Sequence, residues 1–315
     1  MERGRKDFFS LTLFFFEGAM PLHLSVMPQE VLHYLEPARG QVLVDATVGA
    51  GGHAALLSDR IGPNGRLIGI DQDEEMLALA RQRLAGKQVT LVHGSFEDLP
   101  EILQKLQITA VDGILADLGF CSDQLANPER GLSFAQDGPL DMRLDRSRGE
   151  PASALVRRLH ERDLADIFWQ FGEERFSRRI ARRIVQTRQE TPIATTGQLA
   201  ELVRGCVPRF RGRHSIDPAT RVFQALRIAV NDELGALDRF LQALPDCLMP
   251  GGRAVMISFH SLEDRRVKQA FRDKEKYEEL TRKPVTATDD ETANNPRARS
   301  AKLRAARTRL SEPRA

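Results

Sequence analysis

Cysteine is scarce in this chain, and the scarcity narrows its chemistry. Three occur in 315 residues, Cys121, Cys206 and Cys247. They are odd in number and far apart, so they offer no disulfide framework and no C-x-x-C metal pair. A reducing, cytoplasmic setting is expected. Net charge is equally sparse. Lys and Arg number 46 against 44 Asp and Glu, leaving +2, so no overall basic field announces a nucleic-acid partner. Long apolar runs are missing too. Phe8 to Phe16 follows a basic start in the manner of a short signal peptide. Glu17 closes it, and it is too short to span a bilayer. It reads as an extension ahead of a start at Met20. The remaining composition, 41% hydrophobic and 29% charged, is that of an ordinary globular protein. The length suits one large domain or a core carrying an inserted second one.

The most informative stretch runs from Leu43 to Ala54. A short apolar run ends in Asp45, a glycine cluster follows, and Ala54, Leu56, Leu57 and Ile61 continue with helical spacing. That is strand, tight turn and helix. Gly49-x-Gly51-x-x-Ala54 fits a nucleotide-cofactor fingerprint. Glycine lets the backbone turn sharply and lie against a ligand. The helix behind it aims unpaired N–H groups at an anionic group. A second apolar strand, Leu67 to Asp71, also ends in an acid. Asp71 lies 71 − 51 = 20 residues after Gly51, where a βαβ unit places a carboxylate for two ribose hydroxyls. A tight turn with no ligand is the bland alternative, and the pairing of the two halves argues against it.

Alternation continues. Gln29–Leu35 reads as a short helix, 41–45 as the first strand, 67–71 as the second, and Glu74–Leu84 as a helix. Gln88–His93 is a third strand, 97–106 a helix, and Val111–Asp117 a fourth strand. This predicts an α/β fold with a doubly wound, mostly parallel sheet. Asp45, Asp71, Phe96 and Asp117 then share the carboxyl rim of the sheet, where ligands bind. From Ser122 to Ile216 the pattern is loop and arginine-rich helix, with Arg178, Arg179, Arg182 and Arg183 beside an apolar stripe. It resumes with a helix over 220–243 and a strand over 253–259. The division expected is an extension at 1–21, disordered, a core formed by 22–121 and 217–310, and an inserted helical domain at 122–216. The tail from Asp289 reads as an edge strand, Ala301–Ala306, mixed with disorder.

A dinucleotide and S-adenosylmethionine both present a ribose to Asp71. Acids ending the first and fourth strands suit a sulfonium and an amine and would repel a pyrophosphate. S-adenosylmethionine is favoured, with Phe96 against its adenine. Asp117-Leu118-Gly119-Phe120 then stands where amino-methyltransferases carry a polar-Pro-Pro-aromatic tetrad. An exocyclic base amine is a poor nucleophile because its lone pair is delocalised into the ring. Asp117 can hydrogen-bond and align it. Phe120 can stack the base or fill the core.

Further motifs follow in order: Asp45-x-Thr47-x-Gly49-x-Gly51-Gly52-His53, Asp117-Leu118-Gly119, Glu129-Arg130-Gly131, Asp137 to Arg143, Gly172 to Arg175, Phe223 to Arg227 and Ser258 to Arg265. Together they resemble the ribosomal RNA small subunit methyltransferase H family from roughly Leu22 to Ala306. The resemblance implies a class I, Rossmann-like fold with an inserted helical domain. It implies methyl transfer from S-adenosylmethionine to the N4 amine of a cytosine in the decoding region of 16S rRNA, in the small ribosomal subunit. It implies cofactor contacts from Gly51, Gly52, His53, Asp71, Phe96, Asp117 and Gln124. The chain carries Phe120-Cys121 where the family often has Val-Ser.

Other motifs are weaker. His260 and Asp264 have an i, i+4 spacing that suits a metal, but no third ligand is evident and the transfer needs no Lewis acid, so no metal is expected. His260 and Glu263 are expected to hold a turn beside the substrate. Gly138 to Arg143 reads as a substrate wall. The arginines of the insert, beside a base-modifying site, are expected to meet phosphates. Two alternatives stay open: an amino-methyltransferase acting on DNA, and a nicotinamide-dependent dehydrogenase built on the same fingerprint.

Overall fold

The computed structural model describes residues 24–208 and 217–309. The extension at 1–21 lies outside these residues, as do the last positions of the expected insert and residue 310. The chain starts with α1 (Pro28–Leu35), which has its proline in the first turn, where no intrahelical N–H is lost. β1 (Val42–Asp45), α2 (Gly52–Ile61), β2 (Arg66–Asp71), α3 (Glu74–Arg83) and β3 (Val89–His93) follow as strand–helix units. The helix expected over 97–106 starts later. Phe96–Asp98 is a 3-10 turn, and Pro100 then opens α4 (Leu99–Lys105). β4 (Val111–Asp117) completes the first half.

Helices take over beyond it: α5 (Ser122–Ala126), α6 (Ala152–Arg158), α7 (Glu161–Gln170), α8 (Ser177–Glu190) and α9 (Thr196–Cys206). On α8, Ile180, Ala181 and Ile184 are buried while Arg178, Arg179, Arg182 and Arg183 are exposed. The buried face joins a hydrophobic cluster that includes Leu140, Phe168 and Leu199, and also Val222, Phe223 and Leu226.

The single helix expected over 220–243 is two, α10 (Ala219–Asn231) and α11 (Glu233–Cys247). The break is Asp232, at φ 47, a left-handed conformation that Asn and Asp tolerate better than most residues. β5 (Leu248–Ser258), α12 (Ser261–Phe271), β6 (Tyr277–Glu279), α13 (Asp289–Asn294) and β7 (Lys302–Thr308) close the chain.

The seven strands form one sheet in the order β3-β2-β1-β4-β5-β7-β6. The first five are parallel, and β7 runs antiparallel to both neighbours. Central strand residues such as Val44, Ile68, Ile114 and Val255 are fully buried, as expected where helices cover both faces. The expected edge strand at the tail is an inner one. Leu303, Ala305 and Ala306 are buried, and the guanidinium of Arg304 is neutralised by Asp264 at 2.6 Å. The strand's arginines hide its buried character from a composition-based reading.

Strand order reverses between β1 and β4, so a crevice opens where their carboxyl ends diverge. The two ends of the described chain meet beside it. The Glu291 carboxylate accepts from the Met27 N–H at 2.6 Å, and the Asn295 amide donates to the Leu24 carbonyl at 3.2 Å.

Candidate active site

The crevice is a cleft enclosing about 1060 Å³ out to its open mouth. Gly52, His53, Asp71, Phe96, Asp117, Phe120 and Gln124 all line it. Of the residues expected from sequence, only Gly51 does not. It caps α2 at φ 83, and a side chain there would press on Leu84, so its contribution is the turn itself. Gly52 serves close approach: a Cβ would collide with the Ser25 hydroxyl on the facing wall.

Each strand end supplies one acid. Asp71 accepts the Gly49 N–H at 2.8 Å on one oxygen and the Asp73 N–H at 2.9 Å on the other. These bonds tie the glycine turn to the second strand and leave one lone pair per oxygen for a ligand. Burial pushes its pKa up to about 6 against those N–H bonds. Asp45 is almost fully buried beneath the lining. One of its oxygens accepts the Thr47 N–H at 3.3 Å, and the other has no hydrogen-bond partner among the described residues. Asp117 is oriented through its own N–H, which donates to the Thr47 hydroxyl at 2.7 Å. One Asp117 oxygen lies 3.7 Å from His53 Nε2, and the other has no hydrogen-bond partner among the described residues. Neither ring nitrogen of His53 is hydrogen-bonded to any of them. Orphaned buried polar atoms are costly, so this rim is built for a polar, partly cationic ligand.

Gln124 is committed to the scaffold. Its amide donates to Asp73 at 2.7 Å while its carbonyl accepts the Cys121 N–H at 2.9 Å. Asp73 also receives the buried Arg130 guanidinium at 2.6 Å, so the Asp117–Gln124 loop is pinned to the start of α3. Phe96 packs edge-on against Phe240, ring centroids 5.2 Å apart.

The break at Asp232 places Asn231 and Glu233 on the cleft wall, and Arg297 joins them from the tail. Sequence reading missed these three and Ser25. The motif Phe223 to Arg227 was a partial signal, because Arg227 binds Glu233 with both arms, at 2.7 and 2.8 Å. Glu263 and His260 hold a turn, as expected. One Glu263 oxygen accepts the Phe259 and His260 N–H groups, at 2.9 and 3.3 Å.

One reading needs correction. The Gly138–Arg143 loop is not a wall of the cleft. Leu140 and Met142 are buried in the helical cluster, and Asp141 and Arg143 bind each other. The two charges attract each other across a turn instead of facing substrate. His260 and Asp264 do not form a ligand pair, because Asp264 turns to Arg304. Instead, ligand atoms of Glu233, His260 and Glu263 lie within 4.8 Å of one another. Arg227 already engages both Glu233 oxygens, so the cluster carries its own cation.

Comparison with known proteins settles the family. The profile of the MraW methylase family matches residues 20–309. The chain belongs to that family. It is 54% identical over 288 residues to ribosomal RNA small subunit methyltransferase H of Sorangium cellulosum, covering 90% of each chain. Proteins of the same name from Syntrophotalea carbinolica and Trichlorobacter lovleyi are 51% and 50% identical, over 90% of this chain and 97% of theirs. A dehydrogenase on the same fingerprint is thereby set aside.

An MraW methylase uses S-adenosylmethionine, and the donor set fits it. Asp71 would receive the ribose hydroxyls and Phe96 the adenine. The unmatched oxygen of Asp117 suits the cationic end of the cofactor. The bound cofactor supplies an electrophilic methyl group.

The acid beneath the site carries a cost measurable without ligand. Burial holds Asp45 protonated up to about pH 7, far above the ordinary 3.8. Between those values the folded chain keeps a proton that the unfolded chain has lost, so stability falls as pH rises through that window. The margin by which Asp45→Asn outmelts the parent should therefore grow by about 3 °C or more between about pH 5.5 and about pH 8. Calorimetry of the ligand-free protein checks this. A margin that stays the same at both pH values would show that the methylase carries no strained charge at Asp45.

Proposed function

We propose that this MraW methylase transfers the methyl group of S-adenosylmethionine to the exocyclic N4 amine of a cytosine in the decoding region of 16S rRNA. The observation that carries the reading is Asp117. It ends β4 at the topological switch point, keeps one buried oxygen without a partner among the described residues, and is followed by Phe120 in the same cleft. That oxygen can accept one amine N–H and so turn the nitrogen lone pair toward the methyl group. Alignment matters because the delocalised amine is a weak nucleophile. The names of the three relatives support ribosomal RNA of the small subunit as the substrate. The N4 position and the decoding region follow from the motif resemblance.

The target base must leave its stack to reach the cleft. The insert supplies the counter-charge for the surrounding backbone. On α8, Arg182 pairs with Glu161, whereas Arg178, Arg179 and Arg183 have no partner among the described residues. Replacing those three by Gln should weaken binding to small subunits and lower the slope of log K against log salt by roughly 0.7–0.9 per lost phosphate contact. Affinity for S-adenosylmethionine should stay put. An unchanged salt slope would mark the three arginines as a solvated face only.

Among the described residues no helix is long and apolar enough to cross a membrane, and a ribosomal-subunit substrate supports a cytoplasmic setting. Mass spectrometry of rRNA from a strain lacking the gene tests the whole reading. One methyl on a decoding-region cytosine should vanish and return with the gene. A complete methylation pattern in the deletion strain would overturn it, and a missing methyl on DNA instead would favour the DNA alternative.

A further inference from the structure

Phe120 lies between two constraints on its backbone. Gly119 before it adopts φ 95, and the N–H of Cys121 after it is held by Gln124. Its own carbonyl accepts a hydrogen bond from Arg297. These contacts fix the peptide but not the ring. The ring is half-buried and lines the cleft. The Arg227 guanidinium stands over it, 4.4 Å from the centroid, and is itself not part of the cleft wall. One face of the ring is therefore covered by Arg227, while the side chain also borders the cleft.

A buried guanidinium is expensive unless it is neutralised in good geometry. Here Glu233 supplies the bidentate partner, and the carboxylate holds the Arg227 proton more tightly than usual despite burial. The pair spans the break at Asp232, which brings α10 and α11 into register for it. A plain brace between two helices would need the ion pair but not the ring. The planar group laid on the ring is the additional feature, and a planar delocalised cation suits it better than a point charge does.

We propose that Arg227, fixed by Glu233, is a positioning residue that clamps the inner face of Phe120, so that the outer face is a fixed platform for the flipped pyrimidine base. This rests on the substrate reading above. Arg227 touches neither cofactor nor base and acts through Phe120 alone. The contact sets the ring angle before substrate arrives, which saves the ordering that stacking would otherwise require.

A double-mutant cycle tests it, with single-turnover methyl transfer to small subunits from a strain lacking the enzyme. Arg227→Lys keeps the charge beside Glu233 and loses the planar face. It should lower the rate at saturation by about tenfold. The subunit KM should hold, because phosphate contacts dominate affinity, and S-adenosylmethionine affinity should hold as well. Phe120→Ala should cost roughly tenfold or more through lost stacking. In that background Arg227→Lys should cost less than about twofold further. Equal costs in both backgrounds, or a parallel loss of cofactor affinity, would overturn the proposal and leave Arg227 as a helix brace.

A second readout needs no turnover. Trp169 is the sole tryptophan, so Phe120→Trp with Trp169→Phe reports on position 120. Arg227→Lys should make that fluorescence more open to acrylamide quenching, and identical quenching would also overturn the proposal. Absence of methyl transfer by the unsubstituted enzyme would refute the substrate reading instead, with the quenching comparison unaffected.

Discussion

Asp117→Asn should lower methyl transfer by about two orders of magnitude or more while binding to the small subunit changes far less. The substitution keeps shape and removes one acceptor oxygen and the carboxylate charge. Because the Asp117 N–H donates to Thr47, the backbone of the variant keeps its place at the end of β4. What changes is the oxygen without a partner and the group facing His53 at 3.7 Å. If the oxygen aligns the amine only as the methyl moves, the loss falls on the chemical step. The measurement is single-turnover transfer of labelled methyl to subunits from a strain lacking the enzyme, both substrates saturating. A rate near that of the parent would make Asp117 structural. The acceptor would then have to be sought near His260, since the Gly138–Arg143 loop is packed away from the cleft.

The second large effect is on the cofactor. Asp71→Ala should weaken S-adenosylmethionine binding roughly 10- to 100-fold, the value of about 1.5–3 kcal/mol for hydrogen bonds to a charged group. Two losses combine in it. The ribose loses its acceptor, and the Gly49 N–H loses the carboxylate that holds the turn. The parent protein should show a related trend with acid. Its Asp71 takes up a proton below about pH 6, so affinity should decline as pH falls through that value. Titration calorimetry on both proteins, with melting curves as the control for folding, gives the answer. Unchanged affinity in a folded Asp71→Ala protein would remove Asp71 from the cofactor site.

The parts of this site that sequence disclosed are the local ones. Asp45, Asp71 and Asp117 each end an apolar run, and the period of the helices between them marks the strands. Such signals survive in one dimension because strand, turn and helix are neighbours in the chain. The base-facing side was illegible for the opposite reason. Asn231 and Glu233 reach the cleft only because Asp232 turns left-handed inside what reads as one unbroken helix. Ser25 and Arg297 converge from 272 positions apart, 297 − 25. Lys302, Arg304 and Arg307 disguised β7 as an outer strand, because the ion pair of Arg304 with Asp264 lies across elements. The Gly138–Arg143 loop misled through composition: two charges near an active strand end had found each other.

The meeting of the chain's two ends has a consequence in time. Leu24 and Met27 are among the first described residues to leave the ribosome, yet their partners Asn295 and Glu291 are among the last. The same late segment brings Arg297 to the Phe120 carbonyl and β7 into the sheet. Elements made early ordinarily fold as they emerge. Here the cofactor wall must wait for nearly the whole chain, so a nascent methylase is expected to stay without a finished site until its own synthesis is all but over. A chain stalled before Glu291 should exchange backbone hydrogens freely around Ser25 and the glycine turn.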